Sequence, residues 1–160
     1  MRGGALPPAL LCAALAFALA FAPRRAVLPA VAALVVAGLA VVFAPVPKAW
    51  QEAVFAGCWI SIIVTAASVH LPRGLALVPA VALGVNAGIW AGAVVALGGV
   101  PLDLARALLA ALLVLPAAWL VAHRGAIAVK VVSSWLVAVA ILAATLPIVQ
   151  TPGYVPDHME

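Results

Sequence analysis

Six apolar segments, each close in length to the hydrocarbon core of a lipid bilayer, dominate this sequence. They cover approximately residues 5–22, 26–46, 53–71, 75–99, 102–122 and 126–149, and only a few residues separate one from the next. A helix of about 20 apolar residues spans the hydrocarbon, where every backbone polar group needs a partner within the protein. Because the strict apolar–polar alternation of barrel strands is absent, the sequence predicts an all-α fold. We expect a polytopic transmembrane helix bundle of about six helices.

The composition agrees with lipid as the main solvent. Hydrophobic residues make up 69% of the chain and charged residues 8%, whereas a soluble domain is about 45–50% apolar and about 25% charged. The eight basic and four acidic residues are scattered along the chain, and nucleic-acid binding needs a basic face or stripe. We therefore predict the lipid bilayer as a partner and no nucleic acid. Residues 1–149 form one predicted transmembrane helical domain, and residues 150–160 a short tail.

The first 25 residues, MRGGALPPALLCAALAFALAFAPRR, have the layout of a secretory signal. An arginine precedes an apolar stretch, and the small-residue pattern Ala20-Phe21-Ala22 follows it. Pro23 would come directly after the cleavage point, which disfavours cleavage. We expect this segment to be retained as the first transmembrane helix.

Three arginine turns recur at regular intervals. Arg24, Arg73 and Arg124 are 49 and 51 residues apart, and each lies in a short break between two apolar segments. This spacing predicts that the helices form three helical hairpins. The stretches LPAVAALVVAG (28–38) and VPAVALGVNAG (78–88) are also similar. An internal duplication would explain the similarity, and so would a shared richness in alanine and valine.

The charges also predict an orientation, since cytoplasmic loops are enriched in lysine and arginine. The odd-numbered turns carry Arg24, Arg25, Arg73 and Arg124, with Lys130 close by, while the opposite side carries three basic and all four acidic residues. We predict cytoplasmic arginine turns and two non-cytoplasmic termini. The short connections favour a bacterial-type inner membrane. Arg73, Arg124 and Lys130 are candidates for binding an anionic lipid headgroup, although the Lys130 side chain could simply extend to the interface.

The fourth segment carries small residues at strict four-residue spacing. This pattern predicts close helix packing, either within the chain or against another subunit. Asn86, near the middle of the same segment, predicts an interhelical hydrogen bond or, alternatively, a substrate-binding amide. Ser61, Thr65 and Ser68 share one face of the third segment and suit packing. The residues of the spaced pattern are Ala80, Gly84, Gly88, Gly92 and Ala96.

Two histidines lie at one predicted membrane rim, because His70 and His123 end the third and fifth segments. Such a pair could bind a haem or a pigment as axial ligands, or each could complement a helix C-terminus. The sequence contains no phosphate-binding glycine loop and no Cys/His cluster with metal-ligand spacing. A nucleophile with a complementary base is also not identifiable. We therefore predict no enzymatic activity, no metal site and no cofactor.

These features favour a non-catalytic integral membrane protein. Our primary hypothesis is an accessory or structural subunit, packed against other membrane-protein subunits or further copies of itself. One alternative is a small transporter or channel for a neutral solute, which the interior prolines and Asn86 favour. The other is a haem- or pigment-binding membrane subunit that uses His70 and His123.

Overall fold

The computed structural model describes residues 6–72 and 74–146, and all regular structure within these ranges is helical. This confirms the predicted all-α fold. Three short 3₁₀ segments, Lys48–Trp50, Ser68–His70 and Ala110–Leu113, adjoin the α-helices. The α-helices are α1 (Leu6–Leu19), α2 (Arg24–Val42), α3 (Gln51–Ala67), α4 (Leu77–Gly98), α5 (Pro101–Leu109), α6 (Val114–Ala122) and α7 (Ala126–Thr145).

Five helical stretches in the described ranges are long and apolar enough to cross a membrane. One of them, Pro101–Ala122, joins α5, the 3₁₀ segment and α6 into a single span. The first helix ends earlier than predicted, because the chain turns at Ala20 and Pro23 takes an extended conformation. Its 14 described residues extend about 21 Å, less than the ~30 Å of a typical hydrocarbon core. The other four spans are Arg24–Val42, Lys48–His70, Leu77–Gly98 and Ala126–Thr145.

Helix α1 lies at the centre of the bundle. Ten of its 14 residues are buried, and Leu11, Leu15 and Leu19 have at most 1% of their surface exposed. It packs against α3, α4, α5, α6 and α7. A helix that is apolar on every side is suited to complete burial, so α1 is the helix around which the others assemble.

The packing does not confirm three hairpins as structural units. Helix α2 packs most extensively against α4, and α3 packs most extensively against α7. The physical reason for the first pairing is that the glycines of α4 lack side chains and let the backbone of α2 approach closely. The buried face of α2 has four-residue spacing like that of α4, and it consists of Ala26, Ala30, Leu34 and Gly38.

Helices α2 and α4 run parallel to each other. Three glycines of α4 contact α2 in sequence order: Gly84 meets Ala30, Gly88 meets Leu34 and Gly92 meets Gly38. In each contact the two residue numbers differ by 54, so the helices run in the same direction. The similar stretches 28–38 and 78–88 are offset by 50 residues. Similar sequences therefore lie side by side, staggered by about one helical turn.

The described parts of the three arginine turns meet at one end of the bundle, which we call the arginine end (residues 20–25, 70–72, 74–75 and 123–130). A Cβ on Gly74 would lie 2.7 Å from the carbonyl oxygen of Phe21. The Lys130 Nζ lies 5.9 Å from the centroid of the Phe21 ring, and His70 lies against Ser134 of α7. Arg73 itself lies outside the described residues.

The opposite end of the bundle brings together the end of α4 and the start of α5. Pro101 is the first residue of α5, where the missing N–H costs little. The Asp103 carboxylate accepts hydrogen bonds from the backbone N–H of Val100 and from Arg106, each at 3.1 Å. These contacts fix the connection between α4 and α5.

Pro79, one of the prolines inside the apolar segments, lies in the first turn of its helix. Pro79 is the third residue of α4, and the first-turn N–H groups of a helix have no carbonyl partner in any case. Pro29 does lie within α2. Pro116 lies in the first turn of α6, directly after the 3₁₀ segment Ala110–Leu113.

Candidate functional site: a lateral groove between α3 and α4

A groove of about 860 Å³ lies between α3 and α4 and opens to the side of the bundle. Its walls are almost entirely apolar. Ala53 and Leu71 mark its two ends on the α3 side, and the intervening helix is about 27 Å long, close to the hydrocarbon thickness. The groove therefore follows most of the depth of a bilayer. It is lined by Ala53, Ala56, Gly57, Ile60, Ser61, Val64, Ser68, Leu71, Leu75, Pro79, Ala82, Leu83, Asn86 and Trp90.

A polar network crosses the groove near its mid-depth. The Asn86 side-chain nitrogen donates a hydrogen bond to the Ser61 hydroxyl, and the Trp90 indole N–H donates to the Asn86 side-chain oxygen at 3.1 Å. An asparagine amide has two N–H donors and an oxygen with two lone pairs. The Asn86 amide therefore joins α3 to α4 and keeps further hydrogen-bonding capacity in the groove wall.

The Trp90 ring lies directly on Gly57. A Cβ at this glycine would overlap the six-membered part of the indole, so a side chain larger than hydrogen would displace the ring. The sequence analysis did not single out Gly57 or Trp90. The available signal was the four-residue spacing of Asn86 and Trp90, which places an amide and an N–H donor on one helix face.

Replacing Asn86 with alanine is expected to lower the free energy of unfolding by about 0.6–2 kcal/mol, because two side-chain hydrogen bonds are lost. A double-mutant cycle with Ser61→Ala, followed by thermal unfolding in detergent, measures the coupling between the two side chains. A variant pair whose effects are strictly additive would contradict the hydrogen bond between them.

The small-residue face of α4 lies on α2 and not on the groove. A Cβ at Gly84 or Gly88 would overlap the carbonyl oxygen of Ala30 or Leu34, and one at Gly92 would lie 2.6 Å from the carbonyl oxygen of Gly38. Ala80 is fully buried on α4, whereas Ala96 is exposed. Asn86 lies apart from this face and lines the groove.

The hydroxyl residues of α3 and the 3₁₀ turn that follows it have different surroundings. Ser61 and Ser68 line the groove, and Ser68 also donates a hydrogen bond to the carbonyl oxygen of Thr65 at 2.6 Å. Thr65 is fully buried, and its hydroxyl has no partner among the described residues. The predicted common face is thus divided between groove and interior.

The two histidines are engaged by local neighbours. The His70 Nε2 lies 3.2 Å from the Ser134 hydroxyl. The His123 Nδ1 lies 2.8 Å from the carbonyl oxygen of Trp119, and its ring centroid is 4.5 Å from that of the same tryptophan. Over residues 6–72 and 74–146, no group of three or more His, Cys, Asp or Glu side chains could hold a metal ion. Cys12 and Cys58 are free and buried.

Of the three candidate headgroup-binding residues, the structure describes Arg124 and Lys130, and both lie at the arginine end. Arg73 and the tail at residues 150–160 lie outside the described ranges. Arg124 is exposed in the turn between α6 and α7, and Lys130 is half-buried in the second turn of α7.

Five apolar helices of membrane-spanning length, packed with a shorter buried helix and flanked by a lateral groove, are the architecture of a multi-pass α-helical membrane protein. No protein-family model matches the chain, and no similar curated protein or solved structure was found.

Proposed function

We propose that this chain is a non-catalytic accessory subunit of a larger membrane complex and binds a transmembrane helix of a partner protein in the groove between α3 and α4. The observation that carries the proposal is the shape of this groove. It opens to the side of the bundle, and its α3 wall is about as long as the hydrocarbon core of a bilayer is thick. A second α-helix lying along α3 and α4 would fill such a groove.

The groove walls favour a helix over a lipid chain. Ala53, Ala56 and Ala82 are small, and small side chains allow two helix backbones to approach closely. At mid-depth, the Ser61–Asn86 pair can form a further hydrogen bond with a polar side chain of the partner helix. An acyl chain offers no hydrogen-bonding atom at that depth.

The positions of the charged groups support a non-catalytic role. All charged and histidine side chains in the described ranges lie in turns or within six residues of a helix end. The polar atoms of the groove belong to hydroxyl, amide and indole groups, and none of these is a general acid or base near neutral pH. We further propose a bacterial-type inner membrane, favoured by the short connections, with the arginine end in the cytoplasm because the described charged residues of that end are all basic.

Filling the groove is expected to release the partner. Ala56→Trp combined with Ala82→Trp adds two large side chains at exposed positions of the groove wall. We expect native mass spectrometry of gently solubilised membranes to show a fixed-ratio complex with a second polypeptide for the wild type. The filled variant should run free of that polypeptide.

The matched control is Ala138→Trp, an exposed alanine on α7 outside the groove, which should keep the partner. A wild-type protein that is recovered alone, or that carries only a lipid mass, would contradict the proposal. Retention of the partner by the filled variant would contradict it equally.

A second candidate, a transporter for a neutral solute, is favoured by the position of Asn86 on the groove wall. It is disfavoured because α1 occupies the bundle axis with fully buried leucines and the groove opens to the side. Solute uptake by reconstituted vesicles, lost in Asn86→Ala, would support this candidate over the first. A haem- or pigment-binding subunit would be recognised by a visible absorption spectrum that disappears in His70→Ala or His123→Ala.

A further inference from the structure

The two ends of the described bundle differ in how their charges are compensated. At the opposite end, Lys48 and Arg106 are accompanied by Glu52 and Asp103, and Arg106 forms an ion pair with Asp103 at 3.1 Å. At the arginine end, the described charged residues are all basic: Arg24, Arg25, Arg124 and Lys130. This end therefore presents four positive charges for which the described residues provide no anionic partner.

Lys130 is held at the junction of the three turns. Its ammonium group lies over the Phe21 ring, 5.9 Å from the centroid, an arrangement in which the ring attracts the cation. Its backbone carbonyl accepts a hydrogen bond from Ser134 at 3.0 Å, and the same serine contacts His70. An ammonium group has three N–H donors. The Phe21 ring therefore positions a cation that can still donate hydrogen bonds to an anion.

Arg124 occupies a backbone conformation that normally favours glycine. Its φ angle is +65°, in the left-handed region that non-glycine residues rarely adopt. The adjacent Gly125 closes the turn by donating its backbone N–H to the carbonyl oxygen of Leu120 at 2.7 Å. Glycine is the common residue at such a helix C-terminus. The arginine therefore tolerates an unfavourable backbone conformation while placing a charge at the arginine end.

We propose that the arginine end binds the headgroup of an anionic phospholipid, with Lys130 and Arg124 in contact with the phosphate. Charge complementarity supports this occupant, because the described charged residues of this end are all basic and anionic headgroups attract basic residues near a membrane surface. Lysine and arginine both form charge-assisted hydrogen bonds with phosphate oxygens. The proposal is independent of the groove, so either can fail without the other.

The test compares lipid retention by matched variants. The purified full chain is equilibrated with detergent micelles that contain equal amounts of phosphatidylglycerol and phosphatidylcholine, and native mass spectrometry counts the lipids retained. We expect the wild type to prefer phosphatidylglycerol, and Lys130→Gln or Arg124→Asn to reduce this preference by about fivefold each. Asparagine is chosen at position 124 because it tolerates the left-handed conformation.

The control is Lys48→Gln, which removes one positive charge from the opposite end and should leave the preference unchanged. Arg124→Lys should also retain it, since the charge is kept. Circular dichroism and size exclusion verify that each variant is folded. Equal retention of the two lipids by the wild type would overturn the proposal, as would an equal loss of preference in Lys48→Gln.

Discussion

Replacing Gly88 with leucine is expected to separate α2 from α4 and to lower the free energy of unfolding by about 3 kcal/mol or more. Overpacked side chains typically cost about 1–3 kcal/mol when their neighbours can shift. Here the obstacle includes backbone. A Cβ at position 88 would overlap the carbonyl oxygen of Leu34 and would lie 2.9 Å from the backbone nitrogen of Gly38. Neither atom can move unless the whole of α2 moves.

The control for this substitution lies on the same helix. Ala96→Leu adds a similar side chain at an exposed position two turns further along α4, and it should change stability little. Unfolding in mixed micelles gives the energies. A distance measured by spin labels on α2 and α4 reports the separation directly. If Gly88→Leu were as stable as Ala96→Leu, the close contact between α2 and α4 would be refuted.

Leu15→Ala is expected to cost about 2–5 kcal/mol, the range for large-to-small substitutions in well-packed interiors. Leu15 has no exposed surface, and it lies in α1, which contacts α3, α4, α5, α6 and α7. Because these neighbours are held by one another, they can close only part of the resulting cavity. The lost dispersion contacts then appear as lost stability.

Leu6→Ala provides the comparison for α1. The same side chain is removed, but Leu6 is 65% exposed, so no cavity forms and we expect a small effect. Chemical unfolding of both variants in the same detergent gives the difference. A Leu15→Ala variant with the stability of Leu6→Ala would show that α1 is not the centre of the bundle.

The fold class was predictable because it depends on length and composition alone. In lipid, the backbone N–H and C=O groups of each apolar segment need hydrogen-bond partners, and only a helix provides them within one segment. The first turn of α5 was also predictable in detail. Pro101 and Asp103 are both residues that suit a helix N-terminus, and the structure places them there.

The pairing of α2 with α4 was not predictable from the α4 pattern. Four-residue spacing identified a face for close packing, but every segment is rich in alanine, so many helices offered a matching surface. The more specific signal was a second face with the same spacing, Ala26 to Gly38 on α2. Helix α4 packs on this face, and not on another alanine-rich face, because α2 and α4 run parallel to each other. That orientation is set by the topology of the whole bundle.

The groove and the burial of α1 escaped prediction for a related reason. A sequence reveals which side chains are apolar, but in lipid both buried and lipid-facing positions are apolar. Trp90, for example, covers Gly57 and donates a hydrogen bond to Asn86, although its apolar ring would suit a lipid-facing position equally well. Only the contacts seen in the folded structure distinguish a buried apolar side chain from a lipid-facing one.

The central position of α1 has a consequence for biogenesis. The ribosome makes this helix before any of the five helices that surround it. A nascent chain that ends after α2 therefore holds α1 without its neighbours, and its enclosure is finished only when α7 has emerged. The native contacts of α1 are therefore complete only after all five of its neighbouring helices have been made.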